Sequence, residues 1–312
     1  MALMLAGGAE ALSPTRTIAT TLPIRDLALT GRSVAYVADS APDQLRCARI
    51  GLWNTATNRR YVFDAREQCR ELTSTGQGVW DVAVATKRLL WITYGGGNIR
   101  EWTLWTATTT RRTPRRLGFV ARDVDAPPPI VIGPGFHDRL PYAVDREVVL
   151  LSDDGRAIFK TTVPSPVRLI AAGPGPPGCV VAVFVASGAL LCLDRAGAVT
   201  PSTAHPTKSV KALGVLLSGA AIQVGNEVAV VAPGAQEAPS MPLPRGATMI
   251  DVAQERIVWE RAGDLGATTI ATDMAVRLVD GSPARPVLGQ LSPVGLAWAQ
   301  GRVLRWRAGR LP

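Results

Sequence analysis

Lysine is nearly absent from this 312-residue chain: Lys87, Lys160, Lys208 and Lys211 stand against thirty arginines. Histidine is scarcer, with only His137 and His205. There is no Cys-x-x-C and no Gly-x-Ser-x-Gly. These gaps argue against a zinc site, which needs clustered His or Cys, and against a nucleophile-elbow hydrolase. No window of a dozen residues carries apolar residues at i, i+3, i+4, i+7 between caps, so helices are not expected. No stretch reaches the roughly 18 uninterrupted apolar residues of a membrane helix. The longest candidate, residues 179–193, splits at Ser187-Gly188, so the mature protein reads as soluble.

What is present is apolar sequence cut short and often. Hydrophobic residues make up 47% and charged residues 19%, with 30 glycines and 24 prolines scattered between short apolar runs. That composition is folded, turn-rich and β-forming. The net charge is +9. The arginine excess is what a GC-rich genome produces, or it attracts an anionic partner. The arginines are dispersed apart from Arg111, Arg112, Arg115 and Arg116, without the interleaved aromatics of a nucleic-acid face, so nucleic acid is not the expected partner.

Three internal alignments carry the fold. Asp26-Leu27-Ala28-Leu29 leads to Tyr36, Asp81-Val82-Ala83-Val84 to Trp91, and Asp251-Val252-Ala253 to Trp259. Ala253-Gln254 with Arg261-Ala262-Gly263 matches Ala299-Gln300 with Arg307-Ala308-Gly309, and Leu52-Trp53 matches Leu104-Trp105. Units begin near Ile24, Val79, Ile130, Val167, Val210, Met249 and Val294, mostly about 40 residues apart, the length of a four-stranded propeller blade. The expectation is an all-β propeller of about seven blades, with six or eight as alternatives and a two-domain β-sandwich as runner-up. The last unit is short, so the segment at 15–22 is expected to supply its outer strand and remove the open sheet edge.

Residues 1–11 end in Ala9-Glu10-Ala11, a small-x-small cleavage pattern, and are read as a signal-peptide remnant preceding one propeller domain at 12–312. Cys47 and Cys69 flank a hairpin with its turn near Thr57-Asn58, and Cys179 and Cys192 flank Ser187-Gly188. Two local disulfides are expected, and with them a secreted or extracytoplasmic setting.

The run from Leu89 to Thr108, with its Tyr94-Gly95-Gly96-Gly97-Asn98 turn, together with Cys69, Thr73-Ser74-Thr75-Gly76 and Arg122-Asp123-Val124-Asp125, resembles secreted propeller-like proteins of GC-rich actinobacteria. The match covers roughly residues 45–135. More loosely the repeats are similar to WD40-like and TolB-type propellers, without the paired Gly-His and Trp-Asp signature. The resemblance implies fold and export and carries over no catalytic residue.

The candidate binding residues lie on one hairpin: Trp91, Tyr94, Asn98, Arg100, Trp102 and Trp105. Trp102 and Trp105 are an odd number apart and so face opposite sides of a strand. The glycine-rich turn cannot be a phosphate cradle, because a strand follows it where a helix would be needed. Asp123 and Asp125 place two carboxylates on one side of an extended segment, a weak Ca²⁺ candidate and the one cofactor this chain suggests. Ser152-Asp153-Asp154-Gly155 reads as a hairpin turn, and His137 and His205 as loop residues. The expected function is a non-catalytic binding or scaffold module for a protein or cell-envelope polymer. The alternative is a metal-dependent hydrolase or lactonase with a central site, for which Asn98, Glu101 and Asp123 are candidates.

Overall fold

Short apolar runs bounded by turn residues pair with their sequence neighbours, and here they do so seven times over. The computed structural model describes residues 14–38, 49–64, 77–110, 113–202, 210–234, 238–253, 255–272, 274–282, 284 and 286–309. Among them are 28 strands and no helix. They form seven four-stranded antiparallel sheets, the blades of a propeller. The inner strands of blades one to seven are Ile24–Thr30, Gly78–Val84, Ile130–Ile132, Val167–Ala172, Val210–Leu216, Thr248–Ala253 and Val287–Ser292.

Blade seven takes its outer strand from the other end of the chain. Arg16–Ala19 pairs with Val303–Ala308, with Arg16 opposite Trp306 and Ala19 opposite Val303. This is the closure expected for the segment at 15–22. The strand is fastened to blade one as well: the Arg16 guanidinium donates to the Thr55 and Ala56 carbonyls, and Arg60 donates to the Ala19 carbonyl at 3.1 Å. Ser292 Oγ donates to the Gly31 carbonyl across the same junction.

One expected boundary is wrong. Val294 does not open the last unit; it lies in the turn after the inner strand Val287–Ser292. The Ala253/Ala299 alignment matched the turn after the first strand of blade six with the turn after the second strand of blade seven. The two-domain sandwich is likewise excluded by the seven-sheet topology.

A twisted sheet with two apolar faces must cover both, and each blade does so with its neighbours. Every one of the seven buried clusters spans two successive blades, the last joining blade seven to blade one. Between blades one and two, Val37, Leu52 and Phe63 meet Val82, Leu89 and Trp91. Between blades two and three, Trp102 and Leu104 meet Ile130 and Leu140. Two of the three recurring second-strand aromatics lie over glycine: Tyr36 is opposite Gly51 and Trp259 opposite Gly266, while Trp91 faces Trp105. A Cβ at either glycine would fall about 2 Å from the ring, so no other residue fits beneath it.

The predicted bridge Cys179–Cys192 is present, with Cα atoms 4.7 Å apart. Cys47 and Cys69 lie outside the described residues. In the hairpin between them Arg49 faces Asp64 and Asn54 faces Arg59, which centres the turn between Ala56 and Thr57.

Candidate ligand-binding channel

The inner strand of a blade offers the central channel a backbone edge, because its side chains point into the two flanking interfaces. Two devices alter that edge. The first is a β-bulge, which adds one residue and re-aims a side chain. Inner strands of blades one, two, four, five and six each carry one, and the extra residues are Arg25, Trp80, Arg168, Lys211 and Ile250. The second is a carboxyl placed directly after the bulge, at Asp26, Asp81 and Asp251.

These carboxyls satisfy the N–H groups left along the inner edges. Asp26 accepts from its own Leu27 N–H at 2.7 Å and from Val82 N–H of blade two at 3.0 Å. Asp251 accepts from Val252 N–H at 2.8 Å and from Leu291 N–H of blade seven at 3.3 Å. Burial in the channel wall pushes Asp251 up to about 7. Asp26 and Asp81 are hydrogen-bonded to each other. Burial and then the neighbouring Asp26 charge push Asp81 well above the ordinary carboxyl range, and burial raises Asp26 as well.

Among the described residues two cavities open along the channel, and Pro134 lines both. The one at the N-terminal ends of the inner strands, under the inter-blade connections, measures about 410 Å³. Its lining includes four of the five bulge residues, Trp80, Arg168, Lys211 and Ile250, with Asp81 and an apolar wall that includes Ile132 and Leu169. The one at the opposite ends, among the turns to the second strands, measures about 320 Å³ and is lined by Phe136, Leu217, Val252, Leu291 and Val294 with His137, Asp251 and Glu255. At this mouth Glu255 is already engaged, accepting from Leu217 N–H at 3.0 Å and from Ser218 Oγ–H at 3.4 Å. The His137 carbonyl accepts from Thr86 N–H and Oγ–H.

Trp80 is half exposed, at 50%, and its ring stands nearly perpendicular to Trp102 (centroids 5.2 Å apart) and Tyr94 (5.9 Å). The Arg100 guanidinium lies 5.2 Å from the Tyr94 ring centre and 5.9 Å from that of Trp102. Three of the six residues singled out in the sequence, Tyr94, Arg100 and Trp102, thus form a stack behind Trp80. Trp102 itself is only 1% exposed. Trp91, 2% exposed, and half-buried Trp105 pack on the other side of the sheet towards blade one, and Trp105 Nε1–H donates to Thr93 Oγ1 at 3.0 Å. Asn98 is exposed at the hairpin tip.

Asp123 ends the outer strand of blade two and accepts from Asp125 N–H at 3.4 Å in a turn. Neither it nor Asn98 or Glu101 lines either cavity described. Among the described residues no three His, Cys, Asp or Glu side chains gather as a metal site. Ser152-Asp153-Asp154-Gly155 is the expected turn, with Ser152 Oγ–H donating to Asp154. Asp153 reaches across to blade two, accepting from Lys87 N–H, while its carbonyl accepts from the buried Arg88. His205, Arg111 and Arg112 lie outside the described residues; Arg115 and Arg116 open the outer strand of blade two. Trp80, Arg168, Lys211 and Ile250 were missed in the sequence. The available signal was the residue preceding the recurrent Asp, which is Arg25, Trp80 and Ile250 in turn.

No protein-family model and no curated protein matches this sequence. Solved structures do match in shape. A chain of the Mitotic Checkpoint Complex aligns over 100% of this chain and 96% of its own at 14% identity, TM-score 0.58. YCF48 from Cyanidioschyzon merolae aligns over 96% and 98% at 7% identity, TM-score 0.57. Chaetomium thermophilum Raptor aligns with 96% of this chain at 11% identity, TM-score 0.52, and this chain spans 30% of Raptor's length. At such identities the likeness is one of fold, and with the seven sheets it makes this chain a β-propeller with WD40-type structural neighbours.

Proposed function

We propose that this chain, read as one propeller domain from residue 12 onward, is a non-catalytic binding module. It works outside the cytoplasm and holds a protein or an envelope polymer at the mouth framed by the inter-blade connections. The observation that carries the reading is the set of bulge side chains at that mouth: backbone irregularities in four blades turn Trp80, Arg168, Lys211 and Ile250 into one cavity. A WD40-like propeller is the kind of fold that serves as a protein-binding scaffold. The buried Cys179–Cys192 bridge supports an oxidising compartment. No helix in the described residues is long and apolar enough to cross a membrane. For the hydrolase alternative, Asn98 stands at the tip of the hairpin and Glu101 and Asp123 on the third and fourth strands of blade two, away from the inner edge where a central site would be built.

The test is crosslinking and co-purification from the native host with the wild-type chain and with a Trp80→Ala/Arg168→Gln/Lys211→Gln variant, alongside metal analysis. A reproducible partner that the variant fails to retain is expected. A partner retained equally by both proteins, or stoichiometric metal accompanied by hydrolase activity, would overturn the reading.

A further inference from the structure

The inter-blade mouth combines three features that narrow its ligand. First, its cations are uncommitted: among the described residues neither Arg168 nor Lys211 makes an ion pair or side-chain hydrogen bond. The acid in the lining, Asp81, is bonded to Asp26. Second, the wall below is apolar, with Ile132, Leu169 and Ile250 facing the same space as the Trp80 ring. Third, the cavity measures about 410 Å³. Ligand cavities run from about 300 to 1,000 Å³, so this one admits one or two residues of a chain.

An apolar body with a single anionic head fits this arrangement. An inorganic dianion such as phosphate could balance the two cations but would bring no apolar surface to cover Ile132, Leu169, Ile250 and the Trp80 ring. A carboxylate on an apolar body does both, since arginine can take it through two parallel hydrogen bonds with lysine as a second donor. Resting on the binding-module reading above, we propose that this cavity receives the free C-terminus of a partner polypeptide. Arg168 and Lys211 take the terminal carboxylate, and the last side chain, apolar, lies against Trp80, Ile132 and Ile250.

The experiment titrates the full chain, by calorimetry, with a hexapeptide ending in phenylalanine, as the free acid and as the C-terminal amide. The free acid is expected to saturate a single site and the amide to bind about tenfold weaker or worse, since a charge-assisted hydrogen bond is lost. Arg168→Gln/Lys211→Gln should weaken the free acid by about tenfold or more and leave the amide unchanged. Lys160→Gln, remote on blade three, should change neither. All these side chains are solvent-exposed, so folding is not at stake, and circular dichroism checks it.

Equal binding of acid and amide would overturn the proposal, as would no saturation by the free acid up to about 1 mM. So would saturation of the same residues by 1-naphthoate with no binding of the peptide, which would make the cavity a site for free organic acids. If peptides fail while the native partner is still lost from the triple variant, the C-terminal assignment falls and the binding module stands.

Discussion

The two mouths of the channel are built by the same inner strands and differ in chemistry. At the inter-blade mouth the strands are bulged, and the extra residues bring two cations and a half-exposed indole to a shared cavity. At the turn mouth Leu217, 62% exposed, and Val294, 39% exposed, project from tight turns. The polar groups there are spent on the protein itself, Glu255 on blade five and Asp251 on blade seven. Blade geometry is therefore uniform enough to close a ring, while one-residue irregularities decide what each end of the channel presents. This is the usual division between a rigid scaffold and the positions that re-aim side chains for function.

That contrast can be broken first at its support. Trp102 is buried between blades two and three and backs Trp80. Trp102→Ala should cost about 3–5 kcal/mol, as other large-to-small core changes do, with the loss read by chemical denaturation. Next in size is the turn mouth's own brace. Cys179 and Cys192 pin the segment that follows Gly173 and Pro174, which line that mouth. Replacing both by alanine should cost about 2–4 kcal/mol, measured the same way, and leave binding at the inter-blade mouth intact.

An effect of comparable size is read through pH. Asp251 titrates at about 7 in the fold against 3.8 ordinarily. The folded state thus keeps a proton that the unfolded chain has released, and the stability this contributes is present in full below 3.8. It is lost as pH rises towards 7, with no further change above. Asp251→Asn should flatten the wild-type slope between about pH 4 and pH 7 by close to one proton, seen as converging denaturation midpoints. Asp81→Asn should act with the same sign, because burial and the neighbouring Asp26 push its carboxyl in the same direction. A slope unaltered by either change would contradict the clamped-carboxyl description. The smallest effect on stability is expected from Trp80→Ala, about 1–2 kcal/mol for the edge-to-face contacts with Tyr94 and Trp102 that it removes, although it should impair ligand binding.

Much of this was legible in the sequence because it is periodic. The Asp-x-Ala runs and the aromatics Tyr36, Trp91 and Trp259 marked inner and second strands, and the short last unit implied closure by the N-terminal segment. Blade seven was misread because Val287–Ser292 carries neither the Asp nor the preceding bulge, leaving a resemblance between turns to set its boundary. The hairpin at Leu89–Thr108 drew attention through its density of aromatics, yet Trp91 and Trp102 are there to fill interfaces. Trp80 stood outside that cluster and was passed over. A bulge is a relation between two strands, so nothing in Val79-Trp80-Asp81 alone shows that Trp80 turns to the channel. Arg168 and Lys211, without a following Asp, were further hidden among dispersed charges.

Which mouth meets the partner is decided by site-specific photocrosslinking. With benzoylphenylalanine at position 80 in one protein and at position 217 in another, both expressed in the native host, a discrete crosslinked partner should form from position 80 and not from position 217. A partner captured from position 217 and absent from position 80 would contradict the account.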